Sequence, residues 1–140
     1  MKLAIIGVGA VGTAMAMAVV LRARVCELVL IDKDRARARA VATEMHNGVP
    51  LSPLVTTIKD GDYHDLDGAG LVIVAAGVNE KAGGATDRSD PVGRLRLLDV
   101  NVRIFAIIAP RLVKVAPDAV ILIVTDPPAA DRCHPSSLRS

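Results

Sequence analysis

A chain of 140 residues fits one domain, and its apolar half (51%) is almost wholly aliphatic, with one Phe, one Tyr and no Trp. So few aromatics argue against a stacking platform for single-stranded nucleic acid. A formal charge of +2 singles out no charged partner. No run approaches the roughly 18 apolar residues of a membrane span, and the apolar start has no secretory cleavage region. A cytoplasmic protein with no membrane or nucleic-acid partner is expected. Cys26 and Cys133 have neither a metal-binding nor a redox spacing, so no metal is expected. Cys26, just ahead of an apolar strand, reads as an inert small hydrophobe.

Taken in order, Leu3 to Ile6 is a short apolar run ending in glycine, which predicts a buried first strand. Val11 to Leu21, apolar all round, predicts a helix pressed onto a sheet. Glu27 to Asp32 predicts a second strand closed by an acid. Asp34 can cap a helix running to about His46, with Asn47-Gly48 as its stop. The arginines within it, Arg35, Arg37 and Arg39, read as a solvated helix face rather than a nucleic-acid patch. Val55 to Ile58 is a weaker third strand and Leu71 to Ala76 a strong fourth. A loop rich in Gly, Asp and Pro runs from Gly77 to about Gly93. Leu95, Leu98, Val102, Phe105, Ile108, Leu112 and Val115 then recur at helical steps, in one amphipathic helix bent or interrupted near Pro110. Ala119 to Val124 is a fifth strand. Strands alternating with helices predict a parallel sheet covered on both faces.

The turn Gly7-Val8-Gly9-Ala10-Val11-Gly12 follows a strand and opens a helix, and Asp32 closes the next strand 20 residues past Gly12. That context separates a dinucleotide fingerprint from a chance G-x-G-x-x-G. Gly7 permits the tight turn, Gly9 lets backbone approach a pyrophosphate, and Gly12 lets helix and strand pack closely. N–H groups at the helix start then face the phosphates. Asp32 would accept hydrogen bonds from the adenosine ribose and repel a 2′-phosphate, so NAD is expected over NADP, with Lys33 and Arg35 nearby as opposing charges. The fold class is therefore α/β, a Rossmann-type doubly wound sheet of about five strands in the order 3-2-1-4-5, its sixth strand missing. Residues 1–126 form the NAD-binding domain and residues 127–140 an irregular tail.

With these residues placed, the chain resembles the NAD-binding domain of the lactate/malate dehydrogenase family, from Lys2 to about Val124. Ala75-Ala76-Gly77-Val78 is similar to the family's alanine-glycine step beside the nicotinamide ribose. Arg94 to Asn101 followed by Ile104-Phe105 is similar to its Arg-x6-Asn helix start, and Ala116-Pro117-Asp118-Ala119 is similar as well. The resemblance implies that Ala76, Gly77, Asn101 and the residue at position 126 serve the cofactor. It also implies that arginines of the loop before the third helix serve a small 2-oxo or 2-hydroxy acid. Arg94 is favoured for that role and Arg88 is the alternative, since carboxylate recognition wants a planar guanidinium.

The pattern departs where the family has an Asn-Pro step and this chain has Asp126-Pro127-Pro128. A carboxylate there would oppose an anionic substrate. The acid–base His of the family, its orienting Asp and a further Arg belong to the second half of the family's chain. His64 and His46 are expected away from the nicotinamide, and His134 has no evident orienting partner. A truncated chain, a shifted reading frame near residue 126 or a naturally short protein would each account for this ending. The leading expectation is a dehydrogenase cofactor domain that transfers no hydride by itself. The alternatives are a non-catalytic NAD(H)-binding or sensing module and, behind it, an NAD-using glycosidase. A fifth strand left as an open edge invites self-association, so a homo-oligomer is expected.

Overall fold

A computed structural model describes residues 1–22, 25–48, 56–79 and 91–125, apart from the side chains of residues 48 and 91–96. Five strands form one parallel sheet: β1 (Lys2–Ile6), β2 (Glu27–Ile31), β3 (Thr57–Asp60), β4 (Leu71–Val74) and β5 (Val120–Ile123). Their spatial order is β3-β2-β1-β4-β5, as the sequence predicts. Helices α1 (Ala10–Arg22), α2 (Arg35–Gly48) and α3 (Pro91–Val115) connect them, with a short 3-10 turn at Tyr63–Leu66 between β3 and β4. Among the described residues, no helix is long and apolar enough to cross a membrane.

The unbroken aliphatic runs of β1, β2 and β4 follow from burial on both faces, since successive side chains point to opposite sides. Leu3, Ile5, Leu28, Leu30 and Ile73 face one way and pack with Ala16 and Val20 of α1 and with Ala38, Val41, Ala42 and Met45 of α2. Ala4, Ile6, Val29, Ile31, Val72 and Val74 face the other way and pack with Leu66, Ile108, Leu112 and Ala116. Register keeps the two sets apart: Ile5 pairs with Leu30 and Ile73, Ile6 with Ile31 and Val74.

Helix α1 is not buried all round. Gly12, Ala16 and Val20 form its buried stripe at a four-residue step, while Val11, Met17 and Leu21 are exposed. Asp34 caps α2 as expected, its Oδ1 accepting from the N–H groups of Ala36 and Arg37 at 3.1 and 3.2 Å. The third strand lies at Thr57–Asp60 rather than at 55–58. Edge position explains the shift, because β3 pairs only with β2 and carries charge where an inner strand could not. Its Lys59 binds Glu27 at 3.1 Å and Asp65 at 2.9 Å. The hydrogen bonds that it donates to Asp65 and then to Glu27 hold the Lys59 ammonium above its ordinary value. Asp65 is held below the usual carboxylate range, first by the Asp62 N–H and then by Lys59.

Helix α3 runs unbroken through Pro110. Pro110 and Ala106, whose carbonyl loses its intrahelical donor, are both exposed, so water can take the freed acceptor. The helix also begins at Pro91, inside the stretch expected as loop, where proline's missing N–H costs nothing. Cys26 is exposed, and Val25 beside it takes the core position at 1% exposure. Strand β5 is the opposite edge, and all four of its residues are exposed.

Candidate dinucleotide site

In a doubly wound sheet the crevice opens where the connections change direction. Here that place is the carboxyl end of β1, since the chain passes to β2 and β3 on one side and to β4 and β5 on the other. Gly7 sits there at φ +92°, donating its N–H to the Ile31 carbonyl at 2.7 Å. Two constraints make it glycine: the positive φ, and the backbone of Ala76, whose nitrogen would lie 2.5 Å from an added Cβ. Gly12 faces the Gly7 carbonyl so closely that a Cβ would overlap it. This close contact sets α1 onto the end of β1.

Gly9 differs. An added Cβ there would meet nothing within 4 Å, so the fold itself does not require glycine at this position. Gly9 and Ala10 line a cleft of about 650 Å³, together with Gly7, Asp32, Ala76 and Gly77. The first bond of α1 runs from Thr13 N to Gly9 O at 2.9 Å, so the N–H groups of the turn before it have no partner in the helix. They and the helix dipole favour an anion.

Asp32 is fixed by backbone. Its Oδ2 accepts from Val8 N at 2.8 Å and its Oδ1 from Asp34 N at 2.9 Å. The carboxylate is thereby tied to the glycine turn and aimed along the cleft rim. Val8 serves through that N–H, its side chain being buried, while Val11 is exposed outside the cleft. Asn101 is 4% exposed and does not line the cleft. Its Oδ1 accepts from Val78 N at 2.8 Å and its Nδ2 donates to Val78 O at 3.2 Å. It positions the Ala76-Gly77-Val78 step, with Thr125 adding a hydroxyl bond to Ala76 O at 3.0 Å.

Arg94 falls in the first turn of α3, and its side chain lies outside the described residues. Arg88, Asp126 and His134 lie outside them altogether. His46 and His64 are not among the cleft residues. Among the described residues no group of three His, Cys, Asp or Glu is placed to hold a metal ion.

The far wall of the cleft was not read from sequence. Ile104, Ile107, Ile108 and Arg111 project from one face of α3, and Tyr63 rises from the 3-10 turn. The Arg111 guanidinium lies 5.1 Å from the centre of the Tyr63 ring, within cation–π range. Burial raises the Tyr63 phenol above its ordinary value, and the Arg111 charge opposes that rise. Two signals were available: the three- and four-residue step of the isoleucines, and Asp62-x-x-Asp65, which forms a capping box ahead of Leu66. Neither says which way its residues face until the sheet order is known.

The arrangement suits an extended ligand with an anion at the glycine turn. Comparison with known proteins agrees. Residues 1–131 match the family model for the lactate/malate dehydrogenase NAD-binding domain. The chain is 41% identical over 127 residues to an L-lactate dehydrogenase of Chloroherpeton thalassium, covering 91% of this chain and 39% of that protein. It is 43% identical to the L-lactate dehydrogenase of Thermus aquaticus, again over 91% of this chain but 38% of the relative. Among solved structures, a malate dehydrogenase from Archaeoglobus fulgidus in complex with NADH superposes with TM-score 0.78 at 31% identity, covering 91% of this chain and 41% of that one. The chain thus spans about two-fifths of the length of these relatives. With the glycine turn, the strand order and the Ala76-Gly77 step all in agreement, the chain belongs to the lactate/malate dehydrogenase family, whose NAD-binding domain it matches over nearly its whole length.

Proposed function

We propose that this chain binds NAD(H) in the cleft as the cofactor half of an oxidoreductase exchanging hydride with a small 2-oxo or 2-hydroxy acid. The observation that carries this reading is Gly9, a position with open space where the fold accepts a side chain and a pyrophosphate would not. When bound, the nicotinamide ring supplies the hydride donor and acceptor. The chain's own residues bind and orient: the α1 N–H groups take the pyrophosphate, Asp32 takes the ribose hydroxyls, and Asn101 holds the strand-end step against the nicotinamide side. Arg94, or Arg88 in its place, pairs with the substrate carboxylate. Asp126 stands at the family's Asn position. A second reading, a module that holds NAD(H) without turnover, is favoured by one observation: neither described histidine lines the cleft. For the 140 residues alone the two readings coincide, namely binding without hydride transfer.

Calorimetric titration with NADH, followed by an assay of NADH oxidation with pyruvate or oxaloacetate, tests this. Micromolar binding and no turnover are expected; absence of NADH binding to the folded chain would sink the cofactor reading, and rapid turnover the inactivity. Light scattering on the same sample checks association. The β3 edge is guarded by Lys59 and Asp60, whereas β5 carries only Val120, Ile121, Leu122 and Ile123, all exposed, so self-association through that edge is proposed. A strictly monomeric mass at high concentration would argue against it.

A further inference from the structure

Four charged side chains outside the cleft are joined in one line. Asp65 accepts from the Lys59 ammonium at 2.9 Å, Lys59 reaches Glu27 at 3.1 Å, and Glu27 reaches Lys2 at 3.7 Å. Lys2 in turn donates to the Asp67 carbonyl at 2.9 Å. The line leaves the 3-10 turn at Asp65 and returns to Asp67, the residue that ends it. Strand register explains how these charges meet. Lys2 and Glu27 pair at the starts of β1 and β2, and Lys59 pairs with Val29. Because side chains alternate, all three lie on the face of Ala4 and Val29, which Leu66 and α3 cover. An isolated exposed ion pair contributes little, but linked pairs that tie several elements together contribute more.

Asp65 is the point at which this line grips the turn. One carboxylate oxygen accepts from Lys59, and the other accepts from the Asp62 N–H at 2.9 Å. Gly61 leaves room for it, since an added Cβ there would lie 2.9 Å from Asp65 Oδ2 and 2.6 Å from Val29 Cγ1. None of Lys2, Glu27, Lys59 and Asp65 lines the cleft, whereas Tyr63, two residues before Asp65, does. The seat of Asp65 therefore sets where the Tyr63 ring stands beside Arg111 and against Ile108 of α3.

We propose that the Lys59–Asp65 pair is a positioning element for the cleft, fixing the 3-10 turn so that Tyr63 completes the far wall and setting dinucleotide affinity from outside the site. The proposal rests on the dinucleotide reading above and adds to it residues that touch no part of the ligand. Lys59 acts through Asp65, and Asp65 acts through Tyr63.

The test compares wild type, Lys59→Met, Lys59→Arg, Asp65→Asn and Tyr63→Leu, with the double variant Lys59→Met/Tyr63→Leu, after thermal melts confirm a folded chain. Tyr63 is the one tyrosine and there is no tryptophan, so acrylamide quenching of intrinsic fluorescence reports that ring alone. NADH affinity is read by titrating the nucleotide's own fluorescence. Lys59→Met and Asp65→Asn should each weaken NADH about three- to tenfold and make Tyr63 more accessible to acrylamide. Lys59→Arg keeps the charge and should stay within about twofold of wild type in both readouts. Tyr63→Leu should weaken NADH by itself, and adding Lys59→Met to it should cost less than about twofold more, because the two act in series. Unchanged NADH affinity and unchanged quenching in folded Lys59→Met overturn the proposal and leave the dinucleotide reading standing. A full further loss in the Tyr63→Leu background overturns it too, since Lys59 would then act by another route. If folded wild type binds no NADH, the dinucleotide reading falls and this proposal falls with it.

Discussion

Gly7→Ala is expected to destabilise the domain by about 3–5 kcal/mol and to lower its melting temperature by roughly 10 °C or more. Two costs combine. A side chain at φ +92° pays about 1–2 kcal/mol for the left-handed region. The new methyl would also lie 2.5 and 2.6 Å from the backbone nitrogen and Cα of Ala76 and 2.8 Å from the Ala75 carbonyl carbon. No rotamer relieves a collision with backbone, so the end of β4 must move away from β1. That movement shifts the Ala76-Gly77 step in the cleft wall, and NADH affinity should fall along with stability. Gly68 supplies the control. It too has a positive φ, of 71°, but an added Cβ there meets nothing within 4 Å. Gly68→Ala should therefore cost only the conformational part, about 1–2 kcal/mol. Thermal melts of the two variants side by side separate strain from collision. Equal losses in both would show that the contact with Ala76 carries no energy.

Asp32→Ala is expected to weaken NADH binding about 10- to 100-fold, the value of a hydrogen-bonding carboxylate facing ribose hydroxyls. The carboxylate also serves the fold, because its oxygens take the N–H groups of Val8 and Asp34. Leaving those donors unpartnered should cost about 1–3 kcal/mol in stability. Asp32→Asn keeps one acceptor and turns an amide NH2 toward the other donor, so its loss of stability should be intermediate. Removing the charge also removes the group that repels a 2′-phosphate. The two cofactors should therefore respond in opposite directions, NADH weakening and NADPH tightening. Calorimetric titration of wild type and both variants measures this, and unchanged NADH affinity in a folded Asp32→Ala would remove Asp32 from the site.

Much of this could be read from the residues in order. Strand and helix identity follow from local chemistry: unbroken aliphatic runs where a strand is covered on both faces, Asp34 as a cap, glycines where the chain must turn or approach itself. The glycine turn with Asp32 is local in the same sense, since strand, turn and helix are continuous in sequence, and its spacing already implies a dinucleotide. The sheet order follows the family pattern, and the structure has it.

What could not be read depends on elements brought together from far along the chain. Gly7 meets Ala76, Asn101 meets Val78, and Tyr63 meets Arg111 only after β4 has crossed back beside β1 and α3 has packed over the sheet. The three arginines of α2 look alike in a row, and only Asp60 on β3 decides that two of them are paired while Arg37 faces the cleft. Burial works the same way: Cys26 and Val25 are adjacent small residues ahead of β2, and packing with the residues of α1 and α2 takes Val25 and leaves Cys26 exposed. The sequence by itself determined where the glycine turn lies and which acid answers to it. Tertiary structure decided which charges line the cleft beside them, because charge around a cleft is a sum over residues that only the fold makes neighbours.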